Sequence, residues 1–415
     1  MKIIVVVGAR PNFMKAAPIL RAIEAENRHE PGAIVPVLVH TGQHYDAAMS
    51  DAFFADLKLA KPDIHLGVGS ASHARQTADI MMKFEAVIQA ERPDIVILVG
   101  DVNSTIACAL VTAKISFDTI GTRPLIAHVE AGLRSFDRSM PEECNRVVTD
   151  HLSDLLFVTE ESGRRNLEME GISKNRIFFV GNTMIDSLVA CLHRAEKSSI
   201  LSDLGLIGVK PGNGLGDNIR SYALLTLHRP ANVDSRETFC EILEGVQELA
   251  AVTPIIFPVH PRTWQSITNN GLDRFFRAPD VNDRFEDLLP QILTVPPLGY
   301  LDFLCLMKHA FLVITDSGGI QEETTCLGIP CVTVRENTER PITLEVGTNV
   351  LAGVRQHSIA RAIQFQQCNH RNSQIPDKWD GHAAERIVSI IRRSPILSKT
   401  QSLHNYSTHD VVTPA

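Results

Sequence analysis

The chain opens with MKIIVVVGARPNFMK (residues 1–15), and this stretch decides the class of fold. Its five consecutive apolar residues, 3–7, are typical of a strand buried on both faces, as in a parallel sheet. Gly8 permits a tight turn, and Pro11 suits the first turn of a helix. The apolar run is too short for a signal peptide. We therefore expect the first strand and helix of an α/β domain.

The same alternation of apolar runs and amphipathic segments continues along the chain. In the first half it predicts strands at residues 2–7, 34–40, 94–99, 125–129, 155–159 and 177–180, and helices at Asn12–Ala25, Ser72–Ala90 and Asn103–Lys114. A second series of strands begins near Tyr222 and includes residues 254–259, 311–315 and 331–334. The pattern predicts two doubly wound, Rossmann-like α/β domains facing across a cleft.

The predicted domains are residues 1–185 and 186–395, with the crossover near residues 185–205. The last helix is expected either in the second domain or packed back on the first. The composition of Lys210–Asp217 predicts a loop, and residues 396–415 are expected to form a polar tail.

Composition narrows the functional classes. The chain has 415 residues, 21% of them charged, and its formal net charge of −8 argues against a nucleic-acid binder. The eight cysteines are scattered without a CxxC pair, which is typical of free thiols in a reducing compartment and does not indicate zinc. No stretch approaches the ~20 apolar residues that span a bilayer. We expect a cytoplasmic protein that contacts no membrane.

A second stretch, FLVITDSGGIQEE (residues 311–323), repeats the order of strand, turn and helix. The turn consists of Ser317, Gly318 and Gly319. Because the two glycines have no Cβ, their main-chain N–H groups can closely approach a diphosphate, and the dipole of the following helix also favours an anion there. Glu323, one turn further on, is suited to accept hydrogen bonds from ribose hydroxyls. The alternative is a helix that is capped by Ser317 and binds no ligand.

The turn after the first strand has similar potential, because Arg10 and Lys15 add positive charge near the start of a helix. The segment lacks the GxGxxG fingerprint, so no nicotinamide cofactor is predicted. The alternative is an ordinary turn between strand and helix with solvated basic residues.

Three acidic residues follow strands of the first half. Asp101 comes after residues 95–100, Glu130 ends AHVE (127–130), and Glu142 lies in PEECNR (141–146). Burial and neighbouring acids raise the pKa of a carboxyl group towards the range needed for proton transfer. We therefore predict acid/base chemistry. The alternatives are an N-cap role for Asp101 and a helix-dipole role for Glu142 or Glu143.

Two histidines follow strands of the second half, namely His228 after residues 224–227 and His260 after Val259. At the carboxyl end of a strand either one suits a diphosphate or a proton transfer. Helix capping or core hydrogen bonding is the alternative for each. Their spacing does not match a pair of metal ligands, and no metal site is predicted.

Taken together, these segments resemble the non-hydrolysing UDP-N-acetylglucosamine 2-epimerases. The resemblance covers nearly the whole chain except the tail and rests on GARPNFMKAAPIL (8–20), TGQHYD (41–46), VGDVNST (99–105), HVEAGLRSFDRSMPEECNR (128–146), VGNTMIDS (180–187), LHRPAN (227–232), PVHPRT (258–263), TDSGGIQEE (315–323) and ENTERP (336–341). It implies two glycosyltransferase-B-like domains that clamp a nucleotide, interconversion of UDP-N-acetylglucosamine and UDP-N-acetylmannosamine, no cofactor, and a homodimer.

The resemblance also implies roles for individual residues. The substrate-binding positions of the family correspond to Arg10, Phe303, Ser317, Gly318, Gly319, Glu323 and Arg340, with Glu323 on the ribose and Arg340 near the phosphates. The catalytic positions correspond to Lys15, Asp101, Glu130, Glu142 and His228, and His228 also helps to hold the diphosphate.

The chemistry of the sugar favours one route. No carbonyl adjoins C2, so its proton is not acidic, and inversion needs either transient oxidation or loss of the C1 substituent. Without a dinucleotide fingerprint, elimination is favoured. A carboxylate removes H2 while UDP leaves from C1, which gives 2-acetamidoglucal. Protonation of C2 from the other face and return of UDP complete the inversion.

Other functions stay open. Ala231 stands where the commonest family form has Glu in His-Arg-x-Glu-Asn, so an oxidised or 3-amino UDP-sugar is a second candidate substrate. Because TGQHYD differs from the corresponding segment of regulated bacterial members, allosteric activation by a second substrate molecule is not predicted. The remaining alternatives are a hydrolysing epimerase, a glycosyltransferase with the same two domains and, in a different class, a non-catalytic sugar-nucleotide sensor.

Overall fold

The computed structural model describes residues 1–43, 56–57, 59–207, 219–277, 292–368 and 373–393. The predicted loop at Lys210–Asp217, residues 44–46 of TGQHYD and the tail at 396–415 lie outside these residues. The chain forms two compact units. Of the described residues, the first unit comprises those within Met1–Arg134, Arg138–Ser187 and Asp380–Arg393, and the second comprises those within Ser135–Asp137 and Leu188–Trp379.

The first unit is built on a seven-stranded parallel sheet. Its strands are β1 (Lys2–Val7), β2 (Val35–His40), β3 (Ile64–His65), β4 (Ile95–Val99), β5 (Leu125–Ala131), β6 (Leu155–Val158) and β7 (Ile177–Phe179). Its helices begin with α1 (Arg10–His29), α2 (His73–Glu91), α3 (Asn103–Lys114), α4 (Pro141–Leu152), α5 (Glu161–Met169) and α6 (Thr183–Ala195), and α6 passes into the second unit at Leu188. The six strands predicted in this half are confirmed, and β3 was not predicted.

The strand order β3-β2-β1-β4-β5-β6-β7 places the reversal of winding between β1 and β4. Every residue of β4 is buried, as expected for a strand covered on both faces. Gly8 directly follows β1, and a Cβ there would lie 2.1 Å from Oγ of Ser104 and 2.8 Å from Oγ1 of Thr41. Only glycine therefore lets the end of β1 approach α3 so closely. Open α/β sheets bind ligands at such a reversal, outside the carboxyl ends of the strands.

The second unit repeats the plan. Its strands are β8 (Ala223–Thr226), β9 (Ile255–Pro258), β10 (Phe276–Arg277), β11 (Ile292–Val295), β12 (Leu312–Thr315), β13 (Cys331–Thr333) and β14 (Asn349–Leu351). They form a parallel sheet in the order β10-β11-β9-β8-β12-β13-β14, which reverses between β8 and β12. The four strands predicted in this half are confirmed, whereas β10, β11 and β14 were not predicted.

The helices of the second unit follow the same alternation. After α6 they are α7 (Ile200–Asp203), α8 (Pro230–Val233), α9 (Arg236–Gly245), α10 (Gln247–Ala250), α11 (Pro261–Asn269), α12 (Tyr300–His309), α13 (Gly318–Leu327), α14 (Pro341–Glu345) and α15 (Gln356–Cys368). One apolar core, which includes Phe239, Phe257 and Ile314, joins the sheet to its helices.

The last described helix, α16 (Ala383–Arg393), belongs to the first unit and packs along α1. The carboxylate of Asp186 accepts the main-chain N–H groups of Ala383 at 3.1 Å and Ala384 at 2.7 Å, which caps the start of this helix. Arg392 near its end forms an ion pair with Glu30. No helix in the described part of the chain is both long and apolar enough to cross a membrane.

Candidate active site

Three side chains of the first unit converge on the carboxyl end of β4. A Cβ on Gly100 would lie 2.9 Å from Nζ of Lys15, 3.4 Å from Nδ2 of Asn12 and 3.7 Å from Oε2 of Glu130. The φ of Gly100 is +68°, in the left-handed region that favours glycine. Asp101 is the next residue. The end of β4 therefore carries a cluster of charged and polar groups at the reversal of the sheet.

Lys15 and Glu130 form a buried ion pair, with side chains only 8% and 5% exposed. Glu130 has a φ of +74°, which costs a non-glycine residue on the order of 1–3 kcal/mol. The pairing of β5 with β6 shifts register between Val129 and Ala131, so Glu130 occupies a β-bulge. Bulges near functional sites re-aim a side chain. Backbone strain of this kind is found at active sites and suits a catalytic position.

Asp101 is held by the buried side chain of Arg146. Nη2 and Nε of Arg146 lie 2.5 and 3.2 Å from Oδ2 of Asp101, and Nη1 lies 2.5 Å from Oε2 of Glu143. Nδ2 of Asn145 donates to the main-chain oxygen of Asp101 at 2.8 Å. The N-cap position of α3 is Val102, so Asp101 is not the N-cap that the alternative required. Its side chain remains 24% exposed and accessible to a substrate.

The other candidates of the first unit lie at the starts of helices. Glu142 is half-buried in the first turn of α4, and within the part of the chain that the structure describes it has no hydrogen-bonding or ion-pair partner. Arg10 is the exposed first residue of α1. Behind it, Oδ1 of Asn12 accepts the main-chain N–H groups of Gly8 at 3.1 Å and Ala9 at 3.0 Å. Asn12 thereby shapes the turn on which Arg10 stands.

In the second unit, Asp316 organises the residues that follow β8. Its carboxylate accepts Nδ1–H of His228 at 2.9 Å and the main-chain N–H groups of His228 at 3.1 Å and Arg229 at 2.9 Å. Nδ2 of Asn232 donates to it at 3.2 Å. Burial alone would raise the pKa of Asp316, but the hydrogen bond and charge of His228 and the main-chain donors outweigh burial and lower it. Asp316 is fully buried, whereas the side chain of His228 is 59% exposed, which leaves Nε2 available to a ligand.

Ser317 occupies the N-cap position of α13, but its side chain makes no capping hydrogen bond. The alternative of a helix capped by Ser317 is therefore wrong. A Cβ on Gly318 would lie 2.6 Å from Oε1 of Glu339, so any larger residue at this turn would force the Glu339 carboxylate to move. Without a side-chain cap, the first N–H groups of α13 are suited to an anionic ligand.

The glycine turn is backed by a buried network of charges. Nη2 of Arg335 lies 2.7 Å and Nη1 of Arg340 3.8 Å from the carboxylate of Glu339, and Nε of Arg340 lies 2.5 Å from Oε1 of Glu322. Burial alone would raise the pKa of Glu339, but the charges of Arg340 and Arg335 hold it well below its usual range. The predicted phosphate residue Arg340 thus lies beside Gly318, with Nη2 4.0 Å from the Cβ position.

The predicted ribose residue, Glu323, is buried in α13. Oη of Tyr300 donates to Oε1 of Glu323 at 2.7 Å. Phe303 is half-buried one turn after Tyr300 in α12. His260 is different, because its Nδ1 accepts the main-chain N–H of Arg262 at 3.3 Å at the start of α11. The capping alternative therefore accounts for His260.

Several residues of the site were assigned no role from the sequence. They are Asn12, Arg146, Tyr300, Asp316 and Glu339. Two of them carried a usable signal, since Asp316 directly follows the buried strand β12 and Arg146 stands three residues after Glu143 on a helix. The others act through contacts between separate elements, which leave no local pattern.

Comparison with known proteins gives consistent matches. The family model described as UDP-N-acetylglucosamine 2-epimerase matches residues 26–392. The UDP-N-acetylglucosamine 2-epimerase of Methanocaldococcus jannaschii is 40% identical over 94% of this chain and 99% of its own length. Its crystal structure in complex with UDP-GlcNAc and UDP has a TM-score of 0.80 to this chain, with coverage of 94% and 99%.

A further relative is the UDP-2,3-diacetamido-2,3-dideoxy-D-glucuronate 2-epimerase of Pseudomonas aeruginosa, which is 36% identical over 95% of this chain and 100% of its own length. The fold is thus the glycosyltransferase-B-like pair of Rossmann-like units that the M. jannaschii structure also has. Because the family model spans most of the chain and these relatives align with nearly all of it, the chain belongs to the UDP-N-acetylglucosamine 2-epimerase family of enzymes.

Proposed function

We propose that this enzyme interconverts UDP-N-acetylglucosamine and UDP-N-acetylmannosamine by eliminating UDP to 2-acetamidoglucal and adding it back. The observation that carries the proposal is the cluster around Gly100, where Lys15 pairs with Glu130 and Asp101 follows directly. Inversion at C2 needs one group to remove a proton and another to return it on the opposite face. Two carboxylates at the carboxyl ends of neighbouring strands, with Glu142 as a third, meet that need.

The second unit supplies groups suited to the leaving UDP. His228, fixed by Asp316, and the first N–H groups of α13 at Ser317–Gly319 are donors for a diphosphate that gains negative charge as the C1–O bond breaks. Arg10 of the first unit adds positive charge. Glu323, held by Tyr300, is the proposed ribose contact. In this proposal Phe303 and Arg340 complete the binding of the nucleotide.

The decisive experiment incubates the pure enzyme with UDP-N-acetylglucosamine in D2O and follows the sugar by NMR. Deuterium at C2 of a product that is still linked to UDP supports the proposal. Free N-acetylmannosamine with UDP would indicate a hydrolysing enzyme. No exchange on any UDP-N-acetylhexosamine, with the enzyme folded and UDP bound, would refute epimerisation.

A second candidate substrate is an oxidised or 3-amino derivative of the same UDP-sugar. Two observations favour it, namely the P. aeruginosa relative that is named for a diacetamido uronate and the exposed Ala231 after His228. The same D2O assay, run with UDP-2,3-diacetamido-2,3-dideoxyglucuronate and UDP-N-acetylglucosamine in parallel, separates the two. The substrate with the higher kcat/KM for C2 exchange identifies the natural class.

The enzyme is further proposed to act as a homodimer in the cytoplasm. The homodimer rests on the family resemblance, and the compartment rests on eight cysteines that are all free thiols. Light scattering coupled to size-exclusion chromatography should give twice the mass of the chain. A monomer mass at micromolar concentration would contradict the dimer, and recovery of the protein outside the cytoplasmic fraction would contradict the compartment.

A further inference from the structure

His128 lies in β5, two residues before Glu130, and is fully buried. Both of its ring nitrogens face oxygen atoms. Nε2 lies 2.8 Å from the main-chain oxygen of Gly100, and Nδ1 lies 2.7 Å from Oδ1 of Asp150. The first contact fixes the carbonyl group directly before Asp101. The second contact ties β5 to α4.

Asp150, in the last turn of α4, is also fully buried. Its Oδ2 accepts the main-chain N–H of Gly132 at 3.0 Å and lies 2.7 Å from Nη1 of Arg134. Burial alone would raise the pKa of Asp150, but the hydrogen bonds and charges of His128 and Arg134 outweigh burial and lower it. The Asp150 carboxylate therefore contacts donor groups of residues that precede and follow Glu130 in the sequence.

Between these two anchors the backbone of Glu130 has little freedom. A left-handed non-glycine residue persists only where its surroundings over-determine it. His128 holds the chain two residues before Glu130, and the Gly132 N–H bond holds it two residues after. Gly132 has a φ of +80°, and a Cβ there would lie 2.3 Å from the main-chain oxygen of Gly163, so the chain is tightly enclosed on this side as well.

We propose that His128 and Asp150 are positioning residues for the reaction. Through His128 the pair sets the Gly100–Asp101 peptide, and through Asp150 it sets the bulge that carries Glu130. One buried pair thereby fixes the backbone positions from which both carboxylates project. This inference rests on the proposed function, because it matters only if Asp101 and Glu130 exchange protons with C2.

The test compares Asp150→Asn with Asp154→Asn. An amide at position 150 keeps the size of the side chain but turns an NH2 group towards one of the donors His128, Gly132 or Arg134. We expect kcat for C2 exchange to fall about 10- to 100-fold, while KM and the Kd of UDP stay within about twofold. His128→Gln should cause a loss of similar size. Because the two residues act as one unit, the double variant should be no slower than the slower single variant.

Asp154 is a matched control at the other end of β5. Its Oδ2 accepts the main-chain N–H of Ile126 at 2.9 Å, and its two oxygens lie 2.8 and 2.9 Å from the guanidinium of Arg123. Asp154→Asn should lower the melting temperature but leave kcat within about twofold. If Asp150→Asn, assayed where both variants are folded, loses no more kcat than Asp154→Asn, the positioning role is overturned. Absence of C2 exchange in the wild-type enzyme would instead overturn the proposed function.

Discussion

Two substitutions of Asp316 distinguish its role in orienting the His228 side chain from its contribution to the stability of the second unit. Asp316→Ala removes the acceptor of two main-chain N–H groups, those of His228 and Arg229. A buried donor left without an acceptor costs about 1–3 kcal/mol, so the two set a range of about 2–6 kcal/mol. Removing the carboxylate also removes the cost of burying its charge, so we expect a destabilisation at the lower end of this range, about 2–3 kcal/mol. Asn232 retains the main-chain oxygen of Val334 at 3.0 Å as an acceptor.

The milder substitution Asp316→Asn should impair UDP binding and kcat more than it lowers the free energy of unfolding. The imidazole of His228 loses a charged acceptor, and freeing one side chain costs about 0.5–1.5 kcal/mol of binding, which weakens UDP by about 2- to 10-fold. Misplacing a donor to a leaving group costs on the order of 100-fold in kcat. Calorimetric titration with UDP and the D2O exchange rate measure the two effects separately.

Two references make this prediction refutable. His228→Ala sets the maximum loss that Asp316 can cause through His228. Asp234→Asn removes an exposed partner of Arg262 in the same unit and should change neither measurement. If Asp316→Asn keeps kcat within about threefold of wild type while His228→Ala loses about 100-fold, Asp316 does not act through His228.

Three further sets of substitutions test other parts of the protein. Replacing Asp101, Glu130 or Glu142 by the corresponding amide should lower kcat by about 100-fold or more, while the Kd of UDP changes by less than about threefold. Near-normal rates in all three variants would refute the acid/base assignment. Gly318→Ala places a Cβ 2.6 Å from Glu339 and should weaken UDP at least about 10-fold and destabilise the protein by about 1–3 kcal/mol, as measured by calorimetry and thermal melts. Burial and the neighbouring His65 lower the pKa of His40 from 6.5 to about 4. Between these pH values the folded state binds fewer protons than the unfolded state. The free energy of unfolding should therefore fall as the pH drops from 6.5 towards 4. His40→Phe should flatten that slope in thermal melts, and an unchanged slope would contradict the role of His40.

The sequence alone predicted six strands of the first sheet and four of the second, but it missed β11, an interior strand of four buried residues that is as long as β8 and β9. Strands such as β1 and β4 are buried on both faces, so they appear as apolar runs that need no knowledge of their neighbours. The strands β3 and β10 have two residues each, which is too short for any periodicity to be seen. Candidate residues at strand ends, such as Asp101 and His228, could be found for the same reason, because a polar residue stands out at the end of an apolar run.

Only the tertiary structure decided which of these residues contact each other and which neighbouring groups fix their side chains. Asp101 contacts Arg146, which is 45 residues away in the sequence, and His228 contacts Asp316, which is 88 residues away. The left-handed backbone of Glu130 follows from a bulge and from Asp150, neither of which has a local signature. Local sequence determines strands and turns through short-range sterics and burial. Hydrogen bonds and ion pairs between distant segments form only when the sheet order brings those segments together, and in this protein those contacts orient the groups proposed to do the chemistry.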